Sequence, residues 1–246
     1  MILRPKVEVY DGPDQLSRAA AERITAALEE SVLRHPTAAF VLTGGNTPRP
    51  VYELLGSAPF RERLRWEQIH LFWGDERCVP PENAASNFGM AWRSLISRVS
   101  IPAENLHRIQ GEIPDPEAAA WHYEEEIRRL FPAETLPSFD LILLGMGEDG
   151  HTASLFPGTS WDENRWVVAN YVPKLDANRI TMTPLLLNAA RRIIFLTCGS
   201  EKAEALAGVL EDSAARYPAK RIQPQTGDLT WMIDKTAAAL LTHNQS

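Results

Sequence analysis

The sequence predicts a doubly wound α/β fold: a mostly parallel sheet flanked by helices, in a single domain over residues 1–246, with a small added strand or lid within Pro157–Thr183. Three observations carry that expectation. Four short runs, "AAFVLTGG", "IHLFWGDE", "DLILLGMG" and "RRIIFLTCGS", are apolar throughout and end in polar or glycine residues. A strand without alternation is one covered on both faces, as in a parallel sheet between helix layers. Segments with helical periodicity lie between these runs, the order expected of βαβ units. The 246 residues, 44% of them hydrophobic, are enough for one large core.

The first helix is expected over "DQLSRAAAERITAALEESVLRH", where Leu16, Ala20, Ile24, Ala27, Leu28 and Val32 form a stripe opposite Arg18, Glu22, Arg23 and Glu29. The strand in "AAFVL" follows, then the loop "LTGGNTP" and a helix expected to start at Pro48. The strand in "IHLFW" leads into "GDER", after which Ser86 and Asn87 are expected to cap the helix "NFGMAWRSLISRV". "PEAAAWHYEEEIRRLF" is a second amphipathic helix, opening on Pro116. "DLILL" is a strand that runs into the glycine-rich "GMGEDGHTASLFPG". "RITMT" is β-prone, "RRIIFLT" is a further strand, and "SEKAEALAGVL" is a helix with Ser200 as its candidate cap. "ARYPAKRIQPQTG" reads as a connection.

Composition narrows the function. A formal net charge of -7 argues against a nucleic-acid-binding face, which needs clustered Lys and Arg to displace counterions. Cys78 and Cys198 are far apart and have no partner at metal-ligand spacing, so neither a disulfide framework nor a metal site is expected. The opening "MILRPKVEVY" lacks the pattern of a secretory signal, and no apolar stretch approaches the ~20 residues that span a bilayer. The expectation is a cytoplasmic protein, a monomer or weak homodimer, with no membrane or nucleic-acid partner.

The polar clusters all fall where strands should end, and open parallel sheets bind ligands beyond those carboxyl ends. In "LTGGNTP", Gly44 and Gly45 let backbone N–H groups approach a small anion, and Thr47 adds a hydroxyl; neither the Walker A pattern nor the dinucleotide fingerprint is present. Asp75 and Arg77 close the next strand, the guanidinium being a fork donor for carboxylate or phosphate. Gly145, Gly147 and Gly150 frame Asp149 and His151, an acid able to orient an imidazole that exchanges protons near neutral pH. Arg179 and Lys202, with Lys174 nearby in sequence to Arg179, complete the candidate cations. His35, His70, His107, His122 and His243 are read as structural.

Six blocks in order, "LTGGNTP", "GDERCVPPENAASNFGMA", "GMGEDGHTASLFPG", "KLDANRITMT", "GSEKAEAL" and "GDLTWMIDKTAA", resemble the bacterial-type 6-phosphogluconolactonases, relatives of the glucosamine-6-phosphate deaminases. The resemblance implies a glucosamine-6-phosphate deaminase-like fold. It also implies hydrolysis of 6-phospho-D-glucono-1,5-lactone to 6-phosphogluconate in the oxidative pentose phosphate pathway, with no metal or organic cofactor. On that reading the partner is a small sugar-phosphate lactone, and His151 is the general base, supported by Asp149, Arg77 and Asp75. Gly44, Gly45, Thr47, Arg179 and Lys202 would hold the phosphate. Phe156 stands where deaminases of this family carry a glutamate, which favours the lactonase. Asn83 departs from a histidine found in many lactonases, and "LDAN" from their prolines. The competing readings are a deaminase-like isomerase and a non-catalytic sugar-phosphate-binding regulator.

Overall fold

The computed structural model describes residues 5–131 and 136–242; His243 lies outside them. Its strands and helices, in chain order, are β1 (Lys6–Tyr10), α1 (Pro13–Arg34), β2 (Ala38–Leu42), α2 (Arg49–Leu55), α3 (Phe60–Arg63), β3 (Ile69–Trp73), β4 (Asp75–Arg77), α4 (Asn87–Ser94), β5 (Leu106–His107) and α5 (Pro116–Leu130). They continue with β6 (Leu141–Gly145), β7 (Val167–Val172), β8 (Ala177–Met182), α6 (Pro184–Leu187), β9 (Arg192–Thr197), α7 (Ala203–Glu211) and β10 (Asp228–Asp234).

Seven strands form one sheet in the order β1-β10-β9-β6-β2-β3-β5, and every pairing in it is parallel. The four apolar runs are β2, β3, β6 and β9. All five residues of β2 are buried, as the absence of alternation requires of a strand covered on both faces. From β2 the chain winds outward through β3 to β5, then returns to β6 on the other side of β2 and winds through β9 and β10 toward β1. The crevice between β2 and β6 is therefore the point where the winding reverses, and the loops that leave these two strands diverge there. That is where a doubly wound sheet opens to a ligand.

Helix α1 buries Leu16, Ala20, Ile24 and Leu28 from the expected stripe, each at 1% exposure or less. Complete burial of one such leucine or isoleucine contributes about 1.5–3 kcal/mol. Helix α4 is capped by Ser86, whose Oγ accepts from Gly89 N at 3.0 Å. Helix α5 begins at Pro116 behind Asp115, which accepts from Glu117 N at 3.0 Å. Two expected caps differ. Asn87 is the first residue of α4, its side chain turned to β4, and Ser200 opens a short 3-10 turn (Ser200–Lys202) ahead of α7 without capping it.

The expected added strand or lid is a second sheet, three-stranded and antiparallel, in the order β4-β8-β7. Gly74 is the pivot between the sheets. Its N–H donates to Leu42 O at 3.0 Å, extending the parallel sheet by one bond, and its carbonyl accepts from Met182 N at 2.8 Å, starting the antiparallel one. The chain from β3 thus changes sheets within one residue, which carries Asp75–Arg77 out over the carboxyl ends of the main strands. Among the described residues no helix is long and apolar enough to cross a membrane.

Candidate active site

The loop after β2 is held open by its own helix. Tyr52 on α2 donates its hydroxyl to Thr43 O and accepts from Thr43 N, both at 2.9 Å, which engages both backbone groups of the first residue beyond the strand. Gly45 has φ +103 and is exposed, a conformation that disfavours any side chain. Gly44 is glycine for another reason: a Cβ there would meet Asn87 Oδ1 at 1.8 Å. Thr47 is half-buried in the same loop, and its hydroxyl makes no capping bond to α2.

Asn87 ties that loop to β4. Its Nδ2 donates to Asp75 O at 2.9 Å and to Asp75 Oδ1 at 3.2 Å. The other carboxylate oxygen of Asp75 accepts from Ser154 Oγ at 2.6 Å, so Asp75, 7% exposed, links the loop after β6 as well. Its neighbour Glu76 points the other way and anchors α4. Glu76 Oε1 accepts from Arg77 N and Asn87 N, and Oε2 from Phe88 N and Ser86 Oγ, at 2.7–3.0 Å. Burial pushes this carboxyl above its ordinary value despite the donating amides of Phe88, Asn87 and Arg77. Sequence alone does not separate the two acids; strand alternation sends one to the site and one beneath it.

Arg77 and Arg179 face each other across β4 and β8, as directly paired residues. Arg77 Nη1 donates to Ala85 O, and Arg179 Nη1 to Asn178 O at 3.2 Å; among the described residues neither guanidinium has an ion-pair partner within salt-bridge distance. Burial, followed by the neighbouring charge of Arg77, lowers the Arg179 guanidinium from its ordinary value. Like charges directly opposite in an antiparallel pair destabilise it. A bound anion reverses the sign of that interaction.

The turn after β6 builds the imidazole's setting. Gly147 N donates to His151 O at 2.9 Å, and Gly150, at φ +73, donates to Gly147 O at 3.0 Å. A Cβ on Gly147 would sit 2.1 Å from both Nδ1 and Cε1 of His151, so the ring occupies the space a side chain would need. Asp149 Oδ1 lies 2.6 Å from His151 Nδ1, while Nε2 has no partner among the described residues. The His151 side chain is 30% exposed. Burial raises the Asp149 carboxyl, but the hydrogen bond and charge of His151, with the charge of Lys174, outweigh it and hold Asp149 below its ordinary value. Lys174, between β7 and β8, reaches Asp149 Oδ2 at 3.4 Å.

Lys202 follows β9, the neighbour of β6, in the turn that Gly199 opens at φ +105. Gly199 N is held by Asp234 Oδ1 at 3.1 Å at the end of β10. No described contact joins Lys202 to the other candidates; its closest charged partner is Glu201, at 4.0 Å. The structure therefore connects Gly44, Asp75 and the loop of His151 through Asn87 and Ser154, joins Lys174 to Asp149, and sets Arg77 against Arg179. Ser154 and Lys174 gain a place that their sequence positions leave open. A cavity of about 1090 Å³ lies toward the amino ends of β1, β9 and β10. Its Arg23 and Arg192 are already paired with Glu8 and Glu30, at 2.7 and 2.5 Å.

A doubly wound sheet with an imidazole oriented by a carboxylate in the loop beyond one of its central strands has the layout of an α/β enzyme. The chain belongs to the glucosamine-6-phosphate isomerases/6-phosphogluconolactonase family, whose model matches residues 11–231. A relative from Synechocystis sp. named 6-phosphogluconolactonase is 39% identical over 242 residues, 96% of this chain and 98% of its own. The solved structure of 6-phosphogluconolactonase from Trypanosoma cruzi superposes with a TM-score of 0.87 at 31% identity, over 99% of both chains. A monomeric glucosamine-6-phosphate deaminase shares the fold at a TM-score of 0.81 and 26% identity, over 96% of this chain and 99% of its own.

Proposed function

We propose that the protein hydrolyses 6-phospho-D-glucono-1,5-lactone to 6-phosphogluconate, the activity named for its relatives. The observation that carries the reading is the imidazole of His151, bound through Nδ1 to Asp149 with Nε2 left open. Neutral His151 takes a proton through Nε2 from the water that attacks C1, and then returns it to the departing ring oxygen. Asp149 fixes the tautomer with the proton on Nδ1 and stabilises the imidazolium between the two transfers. Asp75 orders the loops on either side of the reacting carbon, and Arg77 stabilises the charge that develops on the carbonyl oxygen or binds the substrate's hydroxyls. Arg179, Lys202 and the backbone of Gly44, Gly45 and Thr47 take the phosphate, so binding energy far from C1 aligns the ester with its water. Phe156 has no proton to exchange, which favours hydrolysis over the deaminase reading. The two free thiols are in keeping with a reducing, cytoplasmic setting.

The test is lactone hydrolysis followed by acid release with the spontaneous rate subtracted. A rate proportional to enzyme supports the reading. Ammonia release from glucosamine 6-phosphate replaces it with the deaminase, and binding of the sugar phosphate without turnover replaces it with a regulator.

A further inference from the structure

Phe156 is an aromatic residue with no place in the hydrophobic core. It is half-buried and belongs neither to the buried cluster nor to the residues packed against it. Its one ring contact among the described residues is the imidazole of His151, with centroids 4.1 Å apart and planes inclined by 22°. An apolar ring gains most from burial when it joins the core. This one is held over a polar ring instead.

The chain around it is built to keep it there. Ala153 adopts φ +47, the left-handed region that an alanine rarely enters. Leu155 N donates to Thr152 O at 2.9 Å, closing the turn that follows His151. On one side of Phe156, Asn170 of β7 donates Nδ2 to Ser154 O at 2.7 Å; on the other, the same group donates to Thr159 Oγ1 at 3.1 Å. Thr159 in turn donates its N–H and its hydroxyl to Phe156 O, at 3.2 and 2.9 Å. Asn170 is 2% exposed, so a buried amide anchors both flanks of the aromatic residue to the antiparallel sheet.

A hydrogen bond at Nδ1 alone is a pivot, because the second torsion of a histidine has broad wells and the ring can turn about the bond to Asp149. A flat contact on one face removes that freedom. We propose that Phe156 is a positioning residue: it fixes the plane of the His151 ring, so that Nδ1 stays on Asp149 and Nε2 stays turned to the substrate side. The inference rests on His151 being the base of the proposed reaction, and it assigns to Phe156 a role that its absence from the core leaves unexplained.

The experiment combines steady-state kinetics with nitrogen NMR of the histidine side chains in Phe156→Ala, Phe156→Leu and Phe156→Tyr. Phe156→Ala is expected to lower kcat by about 10- to 100-fold through misorientation, with KM within about twofold. Phe156→Leu, which refills the volume without a plane, stays low, and Phe156→Tyr recovers most of the rate. In the parent protein His151 shows a single tautomer protonated at Nδ1, and in Phe156→Ala its two nitrogen shifts move toward averaged values. Unchanged kcat in Phe156→Ala overturns the proposal, as does a lost rate with the His151 shifts unmoved, or a Phe156→Leu variant as active as Phe156→Tyr. Should the parent protein hydrolyse no lactone, the functional reading fails, while the tautomer shifts still decide the role of Phe156.

Discussion

Among the described residues two histidine–carboxylate pairs have nearly the same length, and they have opposite fates. His151 and Asp149 are 2.6 Å apart in the turn beyond β6; His107 and Glu126 are 2.9 Å apart between β5 and α5. The difference lies in the second ring nitrogen. His107 Nε2 is hydrogen-bonded to His70 Nδ1 at 2.9 Å, and the side chain, only 6% exposed, also stacks on Phe72 with ring centroids 4.5 Å apart. Among the described residues His151 leaves Nε2 unpartnered, and its side chain is 30% exposed. A carboxylate at one nitrogen orients an imidazole in both places. Only an open second nitrogen makes that ring available as a base.

The contrast is broken most directly by removing each ring. His151→Ala is expected to lower kcat by about 100- to 10,000-fold with a modest change in KM, the range for a lost general base. An unchanged kcat, measured against the spontaneous rate, would move the chemistry elsewhere. The next largest effect belongs to the cation that faces Arg77. Arg179→Ala should raise KM by about 10- to 100-fold, the worth of a charge-assisted bond to phosphate. The same variant should treat an unphosphorylated lactone as the parent does, and equal weakening toward both substrates counts against a phosphate contact.

Much of this contrast is legible in the sequence, because the proposed catalytic pair is local. Asp149 and His151 are two residues apart inside a glycine frame, and Gly150 adopts the positive φ that frame suggests. The four apolar runs likewise become four central strands, since burial on both faces writes itself into composition. What is not legible is long-range or compensated. Ser154 meets Asp75 across 79 positions, and Asn87 reads as a cap until β4 is folded against it. Strand β10 carries Thr230 and Asp234 among its apolar residues, and Asp234 is tolerated at 2% exposure because Thr236, Ala237 N and Gly199 N all donate to it. Strand β1 lies at an edge of the sheet and buries none of its five residues fully, so it leaves no apolar run to read. The antiparallel sheet depends on the change of sheet at Gly74, and no periodicity records where a chain leaves one sheet for another.

Removing the closed ring sharpens the comparison from the other side. His107→Ala leaves the His70 ring and Glu126 without their shared partner and takes away the contact with Phe72. The expected cost is about 2–3 kcal/mol of stability, seen as a fall in Tm of roughly 5–10 °C. At a temperature where the variant is folded, kcat should match the parent within about twofold. A stable variant with a large loss of kcat would mean that the buried chain of rings takes part in the reaction.

The smallest effect expected is the dependence of stability on pH at Asp149. Its carboxyl lies below the ordinary value in the folded protein, because the hydrogen bond and charge of His151 and the charge of Lys174 outweigh burial. A depressed carboxylate contributes stability that is fully present above its unfolded value and is lost as pH falls through the folded one. The urea midpoints of the parent and Asp149→Asn should therefore differ most near neutral pH and converge from about pH 5 downward through the acid range. The difference will be modest and will shrink in salt, since the group is partly exposed and solvent screens it. A gap that stays constant across that window would show that Asp149 holds the ring by geometry alone, with its charge making no difference to the folded state.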